Sequence, residues 1–122
     1  MDRKLPQKEF ISFTKINVNT LRDYTKKRGE RPIILNLGEK INAKRTIYSF
    51  EDCLIGCIFS DYIESGLPIM HFPQIADILK KNHFSNLDFK IKPNFHLMID
   101  VEKIKEDLIS KWNEKNPLEK PQ

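Results

Sequence analysis

The chain has 122 residues, of which 39% are hydrophobic and 31% charged, with a formal net charge of +4. That length fits one domain with a small appendage, and eight Phe can supply one compact core. No apolar run approaches the ~18 residues that span a bilayer, and Met1-Asp2-Arg3-Lys4 lacks the apolar stretch of a signal peptide, so the expected setting is the cytoplasm with no membrane partner.

In chain order, a first helix is predicted over Pro6 to about Thr14, with Pro6 where its missing N–H costs nothing. A short break at Lys15-Ile16 leads to Asn17, a good N-cap for a second helix over 18–27, with Val18 and Leu21 inward. Two short helices joined by a tight turn form a helix-turn-helix, whose second helix can enter a DNA major groove. Arg31-Pro32 blocks further helix. The β-branched run Ile33 to Leu37 reads as a strand, Gly38 to Lys44 as a polar hairpin tip, and Arg45 to Tyr48 as the returning strand. A basic hairpin directly after a helix-turn-helix is the wing of a winged helix.

Ser49 with Asp52 gives a capping-box start to a third helix, with Cys53, Leu54, Cys57, Ile58 and Ile63 as its buried stripe and Gly66 as its stop. A fourth helix is expected near Pro73, ending at Lys80-Lys81. Leu87 to Lys92 alternates, Pro93-Asn94 reads as a turn, and Phe95 to Ile99 returns. Asp100 can cap a last amphipathic helix from Val101 to about Trp112, and Glu114 to Gln122 reads as a frayed tail. The expected fold class is α+β, mainly helical: a winged helix-turn-helix over 1–82, then a β-hairpin and C-terminal helix over 83–113, and a disordered tail over 114–122. The strands and helix of 83–113 can pair with a second copy or finish the monomer's core.

The charge is segregated. Nine basic residues from Lys15 to Arg45 face three acids, so that stretch carries +6 while the rest carries −2. Such a distribution is the footprint of a phosphate-backbone binder. Cys53 and Cys57, four apart on one helix, could form a redox or metal pair, but two small core residues are the preferred reading. His71, His83 and His96 lack metal-ligand spacing, and no Gly-rich phosphate loop or nucleophile–His–acid ordering stands out. No enzyme activity, metal or cofactor is expected.

Phe13 to Tyr24, with Thr20-Leu21-Arg22 and Tyr24 as its most specific part, resembles the turn and recognition helix of MerR-type regulators. Tyr48-Ser49-Phe50-Glu51-Asp52-Cys53 is similar to the family's segment from wing to next helix, and Ser65-Gly66-Leu67 with Ile75 to Leu79 to its close. The resemblance covers about two-thirds of the chain, residues 5 to 81. Lys15 stands where the family has a small residue or Gly. The C-terminal third lacks the family's long dimerisation helix and its metal-sensing cysteines, so no metal- or drug-response is expected.

With the second helix in a major groove, Asn19, Thr20, Arg22 and Asp23 become candidates for base and phosphate contact, Arg for guanine and Asn for adenine. Asn17 is first a cap and then a phosphate contact, while Lys26 and Lys27 add charge at the helix end. The resemblance implies DNA contact by Arg22 and Tyr24, the latter through a phosphate. The competing reading gives Arg22 an intraprotein ion pair and Tyr24 a core position. On the wing, Lys40, Asn42, Lys44 and Arg45 are candidates for backbone or minor-groove contact. The expected function is a transcriptional regulator, a homodimer on double-stranded DNA. The alternatives are a winged-helix protein-interaction adaptor without DNA binding, or a phage excisionase-like architectural DNA binder.

Overall fold

The computed structural model describes residues 3–114. The described chain is mixed α and β, about half helical, in the order β1 (Leu5–Pro6), α1 (Gln7–Thr14), α2 (Val18–Tyr24), β2 (Glu39–Asn42), β3 (Arg45–Tyr48), α3 (Phe50–Glu64), a 3-10 turn (Ile69–His71), α4 (Phe72–Lys81), β4 (Leu87–Lys92), β5 (Phe95–Ile99) and α5 (Val101–Glu114). Two antiparallel sheets form, one ordered β1-β3-β2 and the other a β4–β5 hairpin.

Helix α3 is the axis of the molecule. Ser49 accepts the Asp52 N–H at 3.0 Å while the Asp52 carboxylate accepts the Ser49 N–H at 3.0 Å, the reciprocal cap that the sequence predicts. Its burial exceeds the predicted stripe: Ile55, Gly56, Phe59 and Tyr62 are buried too, so neighbours cover it on several sides. Helix α1 crosses α3 at Gly56, where a Cβ would lie 2.7 Å from the Thr14 methyl and 3.0 Å from the Phe10 ring. Only glycine allows that approach. Gly66, at φ +78, ends α3 as predicted, with its N–H on the Ile63 carbonyl.

Several boundaries move, each for a local reason. Helix α1 begins at Gln7, because Leu5-Pro6 pairs with Ile47-Tyr48 as a third strand too short to show a period. Helix α2 ends at Tyr24 and not at Lys27. The Thr25 hydroxyl donates to the Leu21 carbonyl at 2.7 Å, Arg31 donates to the Asp23 carbonyl at 2.8 Å, and the Tyr24 carbonyl accepts from Ile34 and Leu35, so the last turn's acceptors are satisfied from beyond the helix. Val18 is 38% exposed; Leu21 and the half-buried Tyr24 alone face the core from α2.

The predicted strand at Ile33 to Leu37 is not a strand. Ile34 and Leu35 both bury their side chains, but both their N–H groups go to the Tyr24 carbonyl at 3.0 and 2.9 Å, where a ladder would send alternate groups to a neighbouring strand. Gly38 follows at φ +84, packed so closely on Thr46 and Tyr48 that a Cβ would meet them at 2.6 and 2.9 Å. The hairpin therefore starts at Glu39, and its tip is Ala43-Lys44 alone.

The two hairpins share one plan. In each, a two-residue turn without positive φ follows a bulge, with Ile41 the extra residue in the first and Ile91 in the second. Such turns fit the strands' right-handed twist poorly, and the bulge supplies the missing twist. Pro93 has the fixed φ that suits the first turn position.

Helix α5 belongs to the same core as the rest. Val101, Leu108 and Trp112 are buried, and Trp112 packs on Phe13 and Phe50 at ring distances of 5.5 and 5.2 Å. The helix contributes more to that core than the hairpin before it, where Leu87 and Phe89 are buried but Phe95 and Met98 are 66% and 77% exposed. Of the predicted tail, Glu114 closes α5 and the rest lies outside the described residues.

Candidate nucleic-acid interface

The α1–α2 turn is built on Lys15, which takes the left-handed conformation at φ 62 and gives its N–H to the Ile11 carbonyl at 2.7 Å. A side chain costs about 1–2 kcal/mol in that region. Lys15→Gly is therefore expected to raise the stability by about 0.5–1 kcal/mol once the glycine's own chain entropy is counted, visible as a higher urea midpoint at unchanged slope. Ile16 is buried next, and Asn17 caps α2, its side chain accepting the Asn19 N–H at 2.7 Å.

With Leu21 and Tyr24 turned inward, the 100° step of a helix points Asn19 and Arg22 outward, and Val18, on the flank beside Leu21, is 38% exposed as well. Among the described residues Arg22 makes no ion pair, so its guanidinium is free for a ligand. Thr20 is half-buried and lines a groove of about 610 Å³ between the α1–α2 turn, α3 and α5. Asp61, Glu64 and Asp107 share that groove with Lys15 and Lys111, which makes it the less cationic side of α2.

Asp23 is engaged inside the protein. Its two oxygens meet Arg28 at 2.9 Å and Arg31 at 3.4 Å, and Arg31 also lies 5.1 Å from the centre of the Tyr24 ring. Tyr24 packs edge-on against Phe59 at 5.8 Å. The outcome divides the two sequence alternatives: Tyr24 is packed, and Arg22 is unpaired. Lys26 and Lys27 are exposed on the irregular segment after α2, off the helix expected to carry them. Arg22, Lys26 and Lys27 are exposed, while Asp23, Arg28 and Arg31 form the clasp.

On the β2–β3 hairpin Lys40, Asn42, Lys44 and Arg45 are all exposed. Asn42 has a structural task as well: its side-chain oxygen accepts the N–H groups of Lys44 and Arg45 at 2.9 and 3.0 Å, fixing the turn. The hairpin's one acid, Glu39, lies 3.9 Å from Lys4. Lys40, Lys44 and Arg45 make no ion pair among the described residues.

The cysteines lie apart from this surface. Cys53 is fully buried, and burial raises its thiol pKa well above the ordinary value. Cys57 is pushed up to about 11, again by burial first, and its thiol donates to the Phe13 carbonyl at 3.6 Å. Both therefore stay as thiols at neutral pH, the less reactive form. Among the described residues no three His, Cys, Asp or Glu gather closely enough to hold a metal ion, and no helix is long and apolar enough to cross a membrane. Neither a protein-family model, nor a curated protein, nor a solved structure matches the chain.

Sequence reasoning missed three features of this surface. Val18 was indistinguishable from a core residue by spacing alone. The Asp23–Arg28–Arg31 clasp joins residues five and eight apart across a turn at Gly29 (φ +58), which no helical spacing signals. Ile41 reads as one more alternating strand residue until the bulge is seen.

Proposed function

We propose that the chain is a sequence-specific DNA-binding transcriptional regulator of the MerR-like winged helix-turn-helix type. The observation that carries the reading is the outward face of α2, with Val18, Asn19 and an unpaired Arg22 on a helix that buries only Leu21 fully. Arg22 reads guanine through O6 and N7, Asn19 reads adenine, and Val18 meets a thymine methyl. Lys26, Lys27, Lys40, Lys44 and Arg45 neutralise phosphates from the segment after α2 and from the hairpin.

The regulator acts as a homodimer through β5. That strand, Phe95-His96-Leu97-Met98-Ile99, has no carboxylate, lysine or arginine and among the described residues pairs with β4 alone, so its other edge is a strand template without the charges that usually guard one. Two copies meeting there bring no like charges together. The exposed Phe95 and Met98 also favour a second reading, a protein-binding adaptor.

Gel shifts on duplex DNA across a salt series separate the two. A binder using about six phosphate contacts loses affinity about 10³-fold between roughly 50 and 200 mM salt. Binding that ignores salt, or none at all, sinks the DNA reading in favour of the adaptor. Fragments enriched from a random duplex library give the half-site spacing, and a single unrepeated site would contradict the dimer.

A further inference from the structure

The first hairpin carries, at the bulge just before its tip, an apolar side chain where a purely electrostatic grip has no use for one. Ile41 is 51% exposed, so half of its side chain stands in solvent. An exposed aliphatic residue alone means little. Three further observations give this one a direction. It is the bulged residue of β2, opposite no partner between the pairs Lys40↔Thr46 and Asn42↔Arg45, and a bulge re-aims the side chain it carries. Its counterpart in the other hairpin, Ile91, packs against the core, so the same device with a surface to rest on buries its isoleucine and here does not. Its neighbours Lys40, Lys44 and Arg45 are exposed cations without ion pairs among the described residues, and the turn beside it is fixed by Asn42.

We infer that Ile41 is a wedge: the hairpin tip enters the minor groove of duplex DNA, its cations hold the two phosphate walls, and the isoleucine inserts between adjacent base pairs and bends the duplex. The inference rests on the DNA-binding reading above. It deepens that reading by assigning a deformation of the DNA and the residue that drives it. Side chains of this kind unstack a base step and kink the helix by about 20–90° towards the major groove. Flexible pyrimidine–purine steps are the easiest to open, so TA or CA steps are expected where the tip sits. Such a step contributes sequence preference at a position that no hydrogen bond reads.

The test uses a short duplex of the sequence enriched from the random library, with a dye pair at its ends and 2-aminopurine at the expected step. Saturating protein is expected to bring the dyes closer and brighten the 2-aminopurine as it unstacks. Ile41→Ala, at an exposed position and with an unchanged circular dichroism spectrum, is expected to remove both signals. Any affinity it loses should return on a duplex mismatched at that step, which is already easy to open. Ile41→Phe is expected to keep the bend. A wild-type complex that leaves the duplex straight, or an alanine variant that bends it equally, overturns the wedge while the DNA-binding reading stands. Absence of wild-type binding to any duplex at low salt overturns both.

Discussion

Trp112→Ala is expected to cost the fold about 3–5 kcal/mol, the range for truncating a large aromatic residue in a closed core. Trp112 is 2% exposed, and its indole is held between Phe13 of α1, Phe50 of α3 and the Arg3 guanidinium, which lies 5.3 Å from the ring centre. Domains of this size have total stabilities of about 5–15 kcal/mol, so the substitution removes a large share. A fall in melting temperature of roughly 10–25 °C should follow. Far-UV circular dichroism is the readout, because the variant has lost the chain's one Trp. The same contacts predict that a fragment ending near Asn82 fails to fold, since Phe13, Phe50 and the α3 face would all be uncovered. A variant within about 1 kcal/mol of wild type would instead make α5 an accessory to a core complete without it.

Arg22→Ala is expected to cut the discrimination between the enriched sequence and a scrambled one sharply while leaving the melting temperature unchanged. One good bidentate contact to guanine is worth about 1–3 kcal/mol of discrimination, a factor of about 5–150. The fold should not notice, because Arg22 is exposed and unpaired among the described residues. Lys44→Ala and Arg45→Ala should behave differently, weakening every sequence alike and each flattening the salt slope by about one unit. Competition gel shifts at three salt concentrations distinguish the two behaviours. If Arg22→Ala merely weakened all duplexes equally, the helix would be a phosphate contact and base reading would have to come from elsewhere.

The parts of this structure that the sequence announces are those with short-range physical signatures. Asn17 and Ser49 cap helices because their side chains reach N–H groups two and three residues ahead, and both caps form as spacing predicts. Gly66 and Lys80-Lys81 mark helix ends for equally local reasons. Ile33 to Leu37 misleads because β-branched composition reports a residue's fit to a pleated, half-buried surface, and a buried loop offers a similar environment. What decides there is the Tyr24 carbonyl accepting two consecutive N–H groups, a tertiary fact. Strand β1 has only two residues, so no period exists to detect. For the candidate site, exposure of Arg22 and of the hairpin cations was legible from charge placement. The confinement of Asp23 was not, because its partners Arg28 and Arg31 read as further members of a cationic run until the turn at Gly29 folds them back.

That clasp changes when the ordering of α2 takes place. A helix of seven residues has no stability of its own in water, and one that forms only against a ligand loses affinity by the fraction of time it is unformed. Here Arg31 holds the helix end through two carbonyls and a carboxylate before any partner arrives. The geometry of Val18, Asn19 and Arg22 is therefore set in advance, and a ligand meeting this face would not have to wait for α2 to order.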